Sequence, residues 1–423
     1  MIKKISVSDL QPGMHIHSIV DVVSSDPLLR GNRLVHSSSE VRHIQSHGVK
    51  ELFIDTDKGD DTRSGPSFAE ISATLQDQIR ELAGGDAVAK EAPPPQTETE
   101  LHRIGAEIEE ASQLVHEASL MVGEIMKDAR MGRNIDARPI SEPIRQMKEM
   151  IERSPDAMIA LALLRKSDDE TLRHSLNVGI LLMLFTRSLG MNSTVVEQAG
   201  TAGFLHDIGK IRIPDSLLNK KGKLNPGELS VIRQHVKHAL QLLDGTPGLT
   251  PLMTTIIKQH HERIDGSGYP HGLSGSNIHK LGQMVGIVDV YDAITSKRSY
   301  RGPIESHIAL REIMRWAGTL FTQSLCEQFI RCIGIYPVGS LLELRNGTFA
   351  LVIQNNRSAL LHPVIKTIKT PAGNTADDTP GQMIDLNMFR DQPGYSIVNH
   401  RFVHDINIDI LEEMPSGTLL STP

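Results

Sequence analysis

The chain has 423 residues, of which 39% are hydrophobic and 22% are charged. This composition is typical of folded globular proteins and excludes an intrinsically disordered chain, and the length predicts two or three domains. The formal net charge of −7 leaves no overall basic surface. We therefore expect no nucleic-acid partner, and any site for an anion must be local.

Cysteine usage and the start of the chain indicate a cytoplasmic protein. Cys326 and Cys332 show no CxxC spacing and are typical of free thiols in a reducing compartment. The N-terminus lacks the apolar run of a signal peptide. The longest apolar stretch, near residues 177–186, is shorter than the roughly 20 residues that cross a bilayer. No membrane span is expected.

Residues 1–60 predict a small α+β domain. Short apolar runs alternate with turn residues, and the pattern predicts a helix over 38–48 and a half-buried strand over 49–55. No chemical motif occurs in this domain. Residues 61–100 follow as a linker rich in Gly, Asp, Ser and Pro, with a helical piece near 67–84.

Residues 101–165 are predicted to form a helical connector, with a further helix over 140–165 that passes through Pro155. Apolar residues recur at helical spacing along its first part, at Leu101, Ile104, Ile108, Ala111, Leu114, Ala118, Met121 and Ile125. Such a stripe fits a coiled-coil seam between two subunits, which would make a homodimer, and it fits equally a helix packed on its own domain. The spacing does not choose between them.

The segment from Glu170 to Arg301 concentrates residues suited to metal-assisted hydrolysis of a phosphate ester. Five histidines and three carboxylates occur in a largely helical pattern, at Glu170, His174, His206, Asp207, His235, His260, His261 and Asp289. Taken singly, a Glu–His pair four residues apart or a histidine in a polar helix is more often a surface feature. Together they exceed the three protein ligands of a catalytic zinc, and they suit two or three octahedral ions such as iron or manganese.

Two of these carboxylates lie in surroundings that require a partner. Asp207 follows an apolar helix over 199–205, and Asp289 lies in the almost wholly apolar segment 284–290. An unpaired charge in either place is strongly disfavoured, so metal ligation is the natural explanation. Metal ions about 3.5–4 Å apart can hold a phosphate and lower the pKa of a bridging water, which then acts as a nucleophile.

Nearby cations could neutralise charge on a phosphate group. Lys210 follows the His-Asp pair within reach of the metals, and Arg298 and Arg301 flank Tyr300 beyond the Asp289 helix. For each of them a solvated surface cation is the alternative. Tyr269 could stack on a base or pack under its own loop.

These residues resemble the HD-GYP family of bacterial phosphodiesterases, which degrade the second messenger cyclic di-GMP. His206-Asp207 matches the HD pair of that family, and Gly268-Tyr269-Pro270 matches its GYP signature. The resemblance implies an all-helical HD fold for a catalytic domain over 166–335 and a centre of two or three metal ions. The ligands that it implies are Glu170, His174, His206, Asp207, His235, His260, His261 and Asp289, with Asp207 bridging and Glu170 used where three metals are present.

The resemblance also implies roles outside the ligand set. Asp207 and Lys210 would be catalytic, and the residues that bind or surround the substrate would be Gly268, Tyr269, Pro270, Asp292, Arg298 and Arg301. His238 stands where the family usually has Gly, and Thr322 stands where it frequently has Asp. Neither position is a ligand, so these departures concern packing. The first sixty residues are similar to a small domain that precedes some family members.

After Ile335 the composition becomes typical of β structure. Alternating segments and the hairpin signal Asn346-Gly347 predict a β-rich C-terminal region over 336–423. We therefore expect a multidomain chain, in which a small α+β domain and a β-rich appendage flank an all-α HD-type catalytic domain.

The expected function is metal-dependent hydrolysis of cyclic di-GMP to linear pGpG, with GMP as a further product that three bound metals would favour. One alternative is a phosphodiesterase for another cyclic dinucleotide, such as cyclic GMP-AMP. Another is a non-catalytic sensor that binds the dinucleotide and signals to protein partners. The full ligand set argues against the sensor, because a sensor needs no activated water.

Overall fold

The computed structural model describes residues 2–19, 33–47, 49, 51–62, 98–164, 169–220, 224–296, 305–368 and 381–401. The helical piece predicted at 67–84 lies outside these residues, as do Arg298 and Arg301. The chain divides into two compact units, the first built mainly on residues 1–89 and the second on 90–215, 227–295 and 305–423.

The first unit contains an antiparallel sheet and a helix. Its described strands are β1 (Ile2–Ser6), β2 (His15–Ile19), β3 (Arg33–Leu34) and β4 (Glu51–Asp55), in the order β1-β4-β2-β3. Helix α1 (Ser38–Ser46) begins where the Ser37 hydroxyl accepts a hydrogen bond from the N–H of Glu40. Ile44 of this helix and Leu52 of β4 belong to one buried apolar core. The predicted α+β character is confirmed.

Helix α2 (Glu98–Arg130) packs within the second unit. Its buried hydrophobic residues recur at helical spacing and are Ile104, Ala111, Val115, Ala118, Val122, Ile125 and Ala129. The helix contacts α3 (Ser141–Arg153), α4 (Pro155–Leu164) and α5 (Glu170–Ser188). Of the two interpretations of the apolar stripe, the structure therefore shows a helix packed on its own domain. A dimer through α2 would have to use the opposite side, where Leu120 is 60% exposed.

Two helical stretches of the chain are each divided in the structure. The helix expected over 140–165 ends at Arg153, and α4 begins at Pro155. Inside a helix proline removes a hydrogen bond and clashes with the preceding turn, whereas at the first position it does neither. Residues 226–242 likewise form two helices, α8 (Pro226–Arg233) and α9 (His235–Leu242), so His235 lies at a helix boundary.

Helices α5 and α6 (Ser193–Leu205) form the closely packed centre of the second unit. A Cβ atom on Gly203 would lie 2.6 Å from Gly179 Cα, and a Cβ on Gly179 would clash with the Phe204 ring. The two backbones can approach this closely because both positions are glycine. The end of α6 is thereby held against α5. The remaining described helices are α7 (Asp215–Leu218), α10 (Pro251–Gln259), α11 (Lys280–Thr295), α12 (Ser306–Trp316) and α13 (Gln323–Ile333).

The last part of the second unit is an antiparallel sheet. Its described strands, in the order β8-β7-β6-β5-β9, are β5 (Leu341–Leu344), β6 (Phe349–Gln354), β7 (Val364–Thr367), β8 (Met383–Asp385) and β9 (Ile397–Arg401). The predicted hairpin turn is confirmed at Gly347, which has a φ of 88°. Asp156 of α4 accepts hydrogen bonds from the Asn355 backbone N–H at 3.1 Å and from its Nδ2 at 3.3 Å. These bonds join the sheet to the helices, and burial raises the pKa of Asp156.

The described helices include none that combines the length and apolar character needed to cross a membrane. The predicted multidomain architecture is confirmed, with a mainly helical domain preceded in the chain by an α+β unit and followed by a β-sheet.

Gly203→Ala is expected to lower the free energy of unfolding by about 1–3 kcal/mol, because the new methyl group must push α5 and α6 apart. Thermal or urea denaturation measures the change. Gly123→Ala in α2 is the matched control, because its Cβ would lie no closer than 3.9 Å to Leu172. That variant is expected to gain about 0.5–1 kcal/mol from helix propensity. Equal stability of the two variants would contradict the close approach of the helices.

Candidate metal centre

The structure brings together all of the predicted ligands except Glu170. His174 comes from α5, His206 and Asp207 follow α6, His235 begins α9, His260 and His261 follow α10, and Asp289 lies in α11. All of these side chains are buried except that of His261, which is half-buried. Glu170 lies exposed in the first turn of α5 and belongs to neither of the two groups of converging ligand atoms described next.

Asp207 lies between two groups of potential ligand atoms. Its Oδ2 atom is 3.3 Å from His206 Nε2 and 3.5 Å from His174 Nε2, and its Oδ1 atom is 3.3 Å from His235 Nε2. Within each group one atom per residue lies within 4.8 Å of the others; the groups are His174, His206 and Asp207, and Asp207, His235, His260 and His261. A carboxylate shared in this way is suited to bridging two metal ions.

Asp289 also reaches both sides of the cluster. Its Oδ1 atom lies 3.2 Å from His174 Nε2 and 4.0 Å from His206 Nε2, whereas its Oδ2 atom lies 3.6 Å from His261 Nδ1. The two carboxylates therefore contact histidines of both groups.

The histidine rings are held with one nitrogen toward the cluster. The Nδ1 atoms of His206, His235 and His260 lie 2.7, 2.8 and 2.6 Å from the carbonyl oxygens of Gly203, Ile232 and Ile257. A carbonyl oxygen can only accept, so each Nδ1 carries the proton and each Nε2 presents a lone pair. Within the described structure, the Nε2 atoms of His174 and His206 and Oδ1 of Asp207 are buried without a hydrogen-bond partner. Such atoms are costly unless ligated, so these residues fit a bound metal.

Asp292 orients the His174 ring through its Nδ1 atom, while the Nε2 atom of the ring faces the cluster. Its Oδ2 atom accepts a hydrogen bond from His174 Nδ1 at 2.6 Å, and its Oδ1 atom accepts one from Asn177 Nδ2 at 2.8 Å. The Asp292 side chain is almost fully buried. The resemblance implied a substrate-binding role for Asp292, whereas this position favours a positioning role toward a metal ligand.

Burial and the neighbouring charges shift the pKa values of Asp207, Asp289 and His174 in opposite directions. Burial alone would raise the pKa of Asp207 and Asp289. Lys210 and His206 nevertheless hold the pKa of Asp207 well below its usual range, and His174 and His261 do the same for Asp289. Burial would lower the pKa of His174, but the surrounding carboxylates raise it to about 10.

In the second group of ligands, the pKa values of the histidines are lowered instead. Burial, reinforced by the neighbouring imidazoles, lowers the pKa of His260 to about 3 and that of His261 well below its usual range. Burial lowers the pKa of His235 as well. These rings are therefore neutral near pH 7, which is the form that binds a metal.

Lys210 is attached to the cluster through an ion pair between its Nζ and Asp207 Oδ2. It lies in the 3₁₀ turn over 208–212 that follows the His-Asp pair. A Cβ on Gly209 would overlap the His235 carbonyl oxygen, so this glycine lets the turn pack directly on α9. The structure therefore places the Lys210 ammonium group beside Asp207.

Tyr269 packs over the second group of ligands. Its ring centroid is 4.5 Å from that of His261, and the Arg233 guanidinium lies 4.9 Å from the Tyr269 ring centroid. A Cβ on Gly268 would lie 2.5 Å from Glu262 Cα, so the loop can fold back only with glycine there. Pro270 is exposed. The side chain of Tyr269 is half-buried, and burial raises its pKa.

Four residues of the site were not predicted. The carboxylate of Glu262 holds the loop by accepting the N–H groups of His271 and Leu273 at 2.9 Å each. Arg263 donates to the carbonyl oxygen of His260 at 3.1 Å. Asn177 and Arg233 were missed as well. Arg233 could have been noticed as a cation two residues before a ligand, whereas Asn177 has no local signal beyond its spacing from His174.

Fold and cluster together define an HD-type domain of metal-dependent phosphohydrolases. A family model described as an HD domain matches residues 145–325, and a model described as a domain of unknown function (DUF3391) matches residues 2–140. A cyclic di-GMP phosphodiesterase of Pseudomonas aeruginosa is 33% identical over 423 residues, which cover 100% of this chain and 97% of that protein. Because that similarity extends over the full length, the chain belongs to the HD-GYP family of cyclic dinucleotide phosphodiesterases.

Two further relatives match the catalytic region. A cyclic di-GMP phosphodiesterase of Thermotoga maritima is 38% identical over 165 residues, which are 39% of this chain and 45% of that protein. A 3'3'-cGAMP-specific phosphodiesterase of Vibrio cholerae is 33% identical over 188 residues, which are 44% of this chain and 36% of that protein.

Asp292→Asn is expected to weaken Mn²⁺ binding by about 10–100-fold, because the amide no longer fixes the His174 ring as a carboxylate does. Isothermal titration with Mn²⁺ measures the affinity. Asp244→Asn is the matched control, since Asp244 is exposed. If both variants bind Mn²⁺ like the parent chain, Asp292 does not position the ligand.

Proposed function

We propose that this chain hydrolyses cyclic di-GMP to linear pGpG at the cluster around Asp207. The observation that carries the proposal is the sharing of one buried carboxylate between two groups of inward-facing histidines. Relatives that are named cyclic di-GMP phosphodiesterases, one of them along the whole chain, support this substrate.

The ions that fit the cluster are divalent iron or manganese, which accept mixed imidazole and carboxylate ligands. One ion would be held by His174, His206, Asp207 and Asp289, and a second by Asp207, His235, His260, His261 and Asp289. When bound, the ions supply a water of lowered pKa and polarise the phosphate. A third ion would use Glu170, which shares a helix face with His174 at a spacing of four residues. Cleavage as far as GMP would belong to that form.

The side chains of the chain itself bind and orient the substrate in this proposal. Lys210 holds a positive charge at the edge of the cluster, where charge on the phosphate grows during in-line attack. The stacked pair of Tyr269 and Arg233 offers a flat surface for a guanine base and a cation for its phosphate. Arg298 and Arg301 are assigned to the second phosphate on sequence grounds. Asp292 keeps His174 in the tautomer that ligates.

Cyclic GMP-AMP is the second candidate substrate. The observation that favours it is the similarity of the catalytic region to a 3'3'-cGAMP-specific phosphodiesterase. Both substrates present the same phosphodiester to the cluster, so the choice depends on groups that contact the bases.

The location and partners of the protein are also proposals. A cytoplasmic location agrees with the free cysteines Cys326 and Cys332, which are both buried. A homodimer would form through the exposed side of α2, and signalling partners would bind outside the catalytic domain.

The proposal is tested by incubating the chain, prepared anaerobically with Fe²⁺ or Mn²⁺, with cyclic di-GMP or 3'3'-cGAMP. Chromatography identifies the products, and elemental analysis counts the metal in the same sample. We expect pGpG from cyclic di-GMP, with about two ions per chain. Asp207→Ala is expected to lose both metal and turnover. Full metal loading without cleavage of either dinucleotide would favour the sensor, and undiminished turnover in Asp207→Ala would refute the assigned centre.

Lys210→Met separates the role of the cation from that of the metals. We expect this variant to keep its metal content while kcat falls by about 10²–10³-fold, because one group that stabilises transition-state charge is lost. Lys237→Met is the matched control, since Lys237 is exposed on the neighbouring helix α9. An unchanged kcat in Lys210→Met would remove the lysine from the mechanism.

A further inference from the structure

A second group of metal-ligating side chains lies away from the Asp207 cluster, between α12 and the C-terminal sheet. Glu305 immediately precedes α12, His307 lies in the first turn of that helix, and His400 lies in β9. All three residues are buried, with 3%, 8% and 7% of their surface exposed. They come from parts of the chain almost a hundred residues apart, so their convergence is a property of the fold.

The three side chains point at a common position. Oε2 of Glu305 lies 3.4 Å from His400 Nδ1 and 3.5 Å from His307 Nε2, and one ligand atom of each residue lies within 4.8 Å of the others. These separations exceed the roughly 2.7–3.2 Å of an N–H···O hydrogen bond. They match the spacing of about 3.4 Å between two atoms that are each about 2.0–2.1 Å from one tetrahedral ion.

The donor set is one that zinc accepts. Two imidazoles and one carboxylate can hold Zn²⁺ with its fourth position open to water or another ligand. Both ring nitrogens of His400 are buried and make no hydrogen bond within the described part of the chain. An imidazole in that position is costly, and ligation of a metal would offset the cost.

We propose that Glu305, His307 and His400 bind Zn²⁺ in a site separate from the catalytic centre. β9 is an edge strand of the C-terminal sheet, and α12 packs against α11, which carries Asp289 and Asp292. A zinc ion here therefore attaches the edge of the sheet to the pair of helices α11 and α12, of which α11 carries Asp289 and Asp292. The C-terminal region gains a defined role as a metal-fixed support for that pair.

The test uses the full chain with Asp207→Ala, which weakens the catalytic cluster and leaves the second group intact. Zn²⁺ is titrated into the metal-free protein by calorimetry, and the melting temperature is measured with and without Zn²⁺. We expect about one tight zinc per chain and a melting temperature that rises with zinc. Adding His400→Gln is expected to weaken zinc binding by more than about 100-fold and to abolish the rise. Adding His116→Gln, at an exposed position of α2, is expected to change neither.

Glu305→Gln in the same background provides a second variant, since it keeps the shape of the side chain and removes only its charge. Circular dichroism checks that each variant is folded. Zinc affinity that is the same in folded His400→Gln, Glu305→Gln and His116→Gln chains would overturn the proposal and leave the three residues as a packed polar cluster.

Discussion

The carboxylate of Asp207 is buried at the end of an apolar helix, and the elements around it are arranged to compensate its charge. Close packing at Gly179 and Gly203 brings the end of α6 against α5, which places His174 beside it. The turn at Gly209 packs on α9 and adds Lys210 and His235 to the surroundings. A buried carboxylate must be paired or metal-bound. The packing of these helices and the metal centre therefore both depend on the burial of Asp207.

The rings of three of the histidines are oriented by the helix ends beside which they lie. His206 and His260 each follow a helix directly, and His235 lies at the break between α8 and α9. Each ring donates its Nδ1 proton to the carbonyl three residues earlier. Carbonyls in the last turn of a helix lack an intrahelical partner, so they are available for this bond. The same negative helix end favours a cation nearby.

The HD fold and most of the cluster around Asp207 could be predicted because the candidate residues are concentrated in one largely helical segment. The α2 stripe could not be resolved, since a coiled-coil seam and a helix packed in its own domain share one periodicity. The break between α8 and α9 could not be predicted from residue spacing. The roles of Asn177, Glu262 and Arg233 could not be predicted either, because they depend on tertiary contacts. Glu170 was predicted from its spacing to His174 and from the resemblance, and the structure places it at the exposed start of α5. Its role stays a prediction.

The two halves of the centre differ in how much of the chain each requires. His174, His206 and Asp207 all belong to the α5–α6 pair, whose helices are neighbours in sequence and are joined by a short connection. Contacts between such neighbours form with little loss of loop entropy. The other group, in which His235, His260 and His261 join Asp207, also requires α9 and α10 to pack beside these helices. The α5–α6 pair thus holds half of the ion-binding shell through contacts that are local in sequence, whereas the other half depends on contacts between distant parts of the chain.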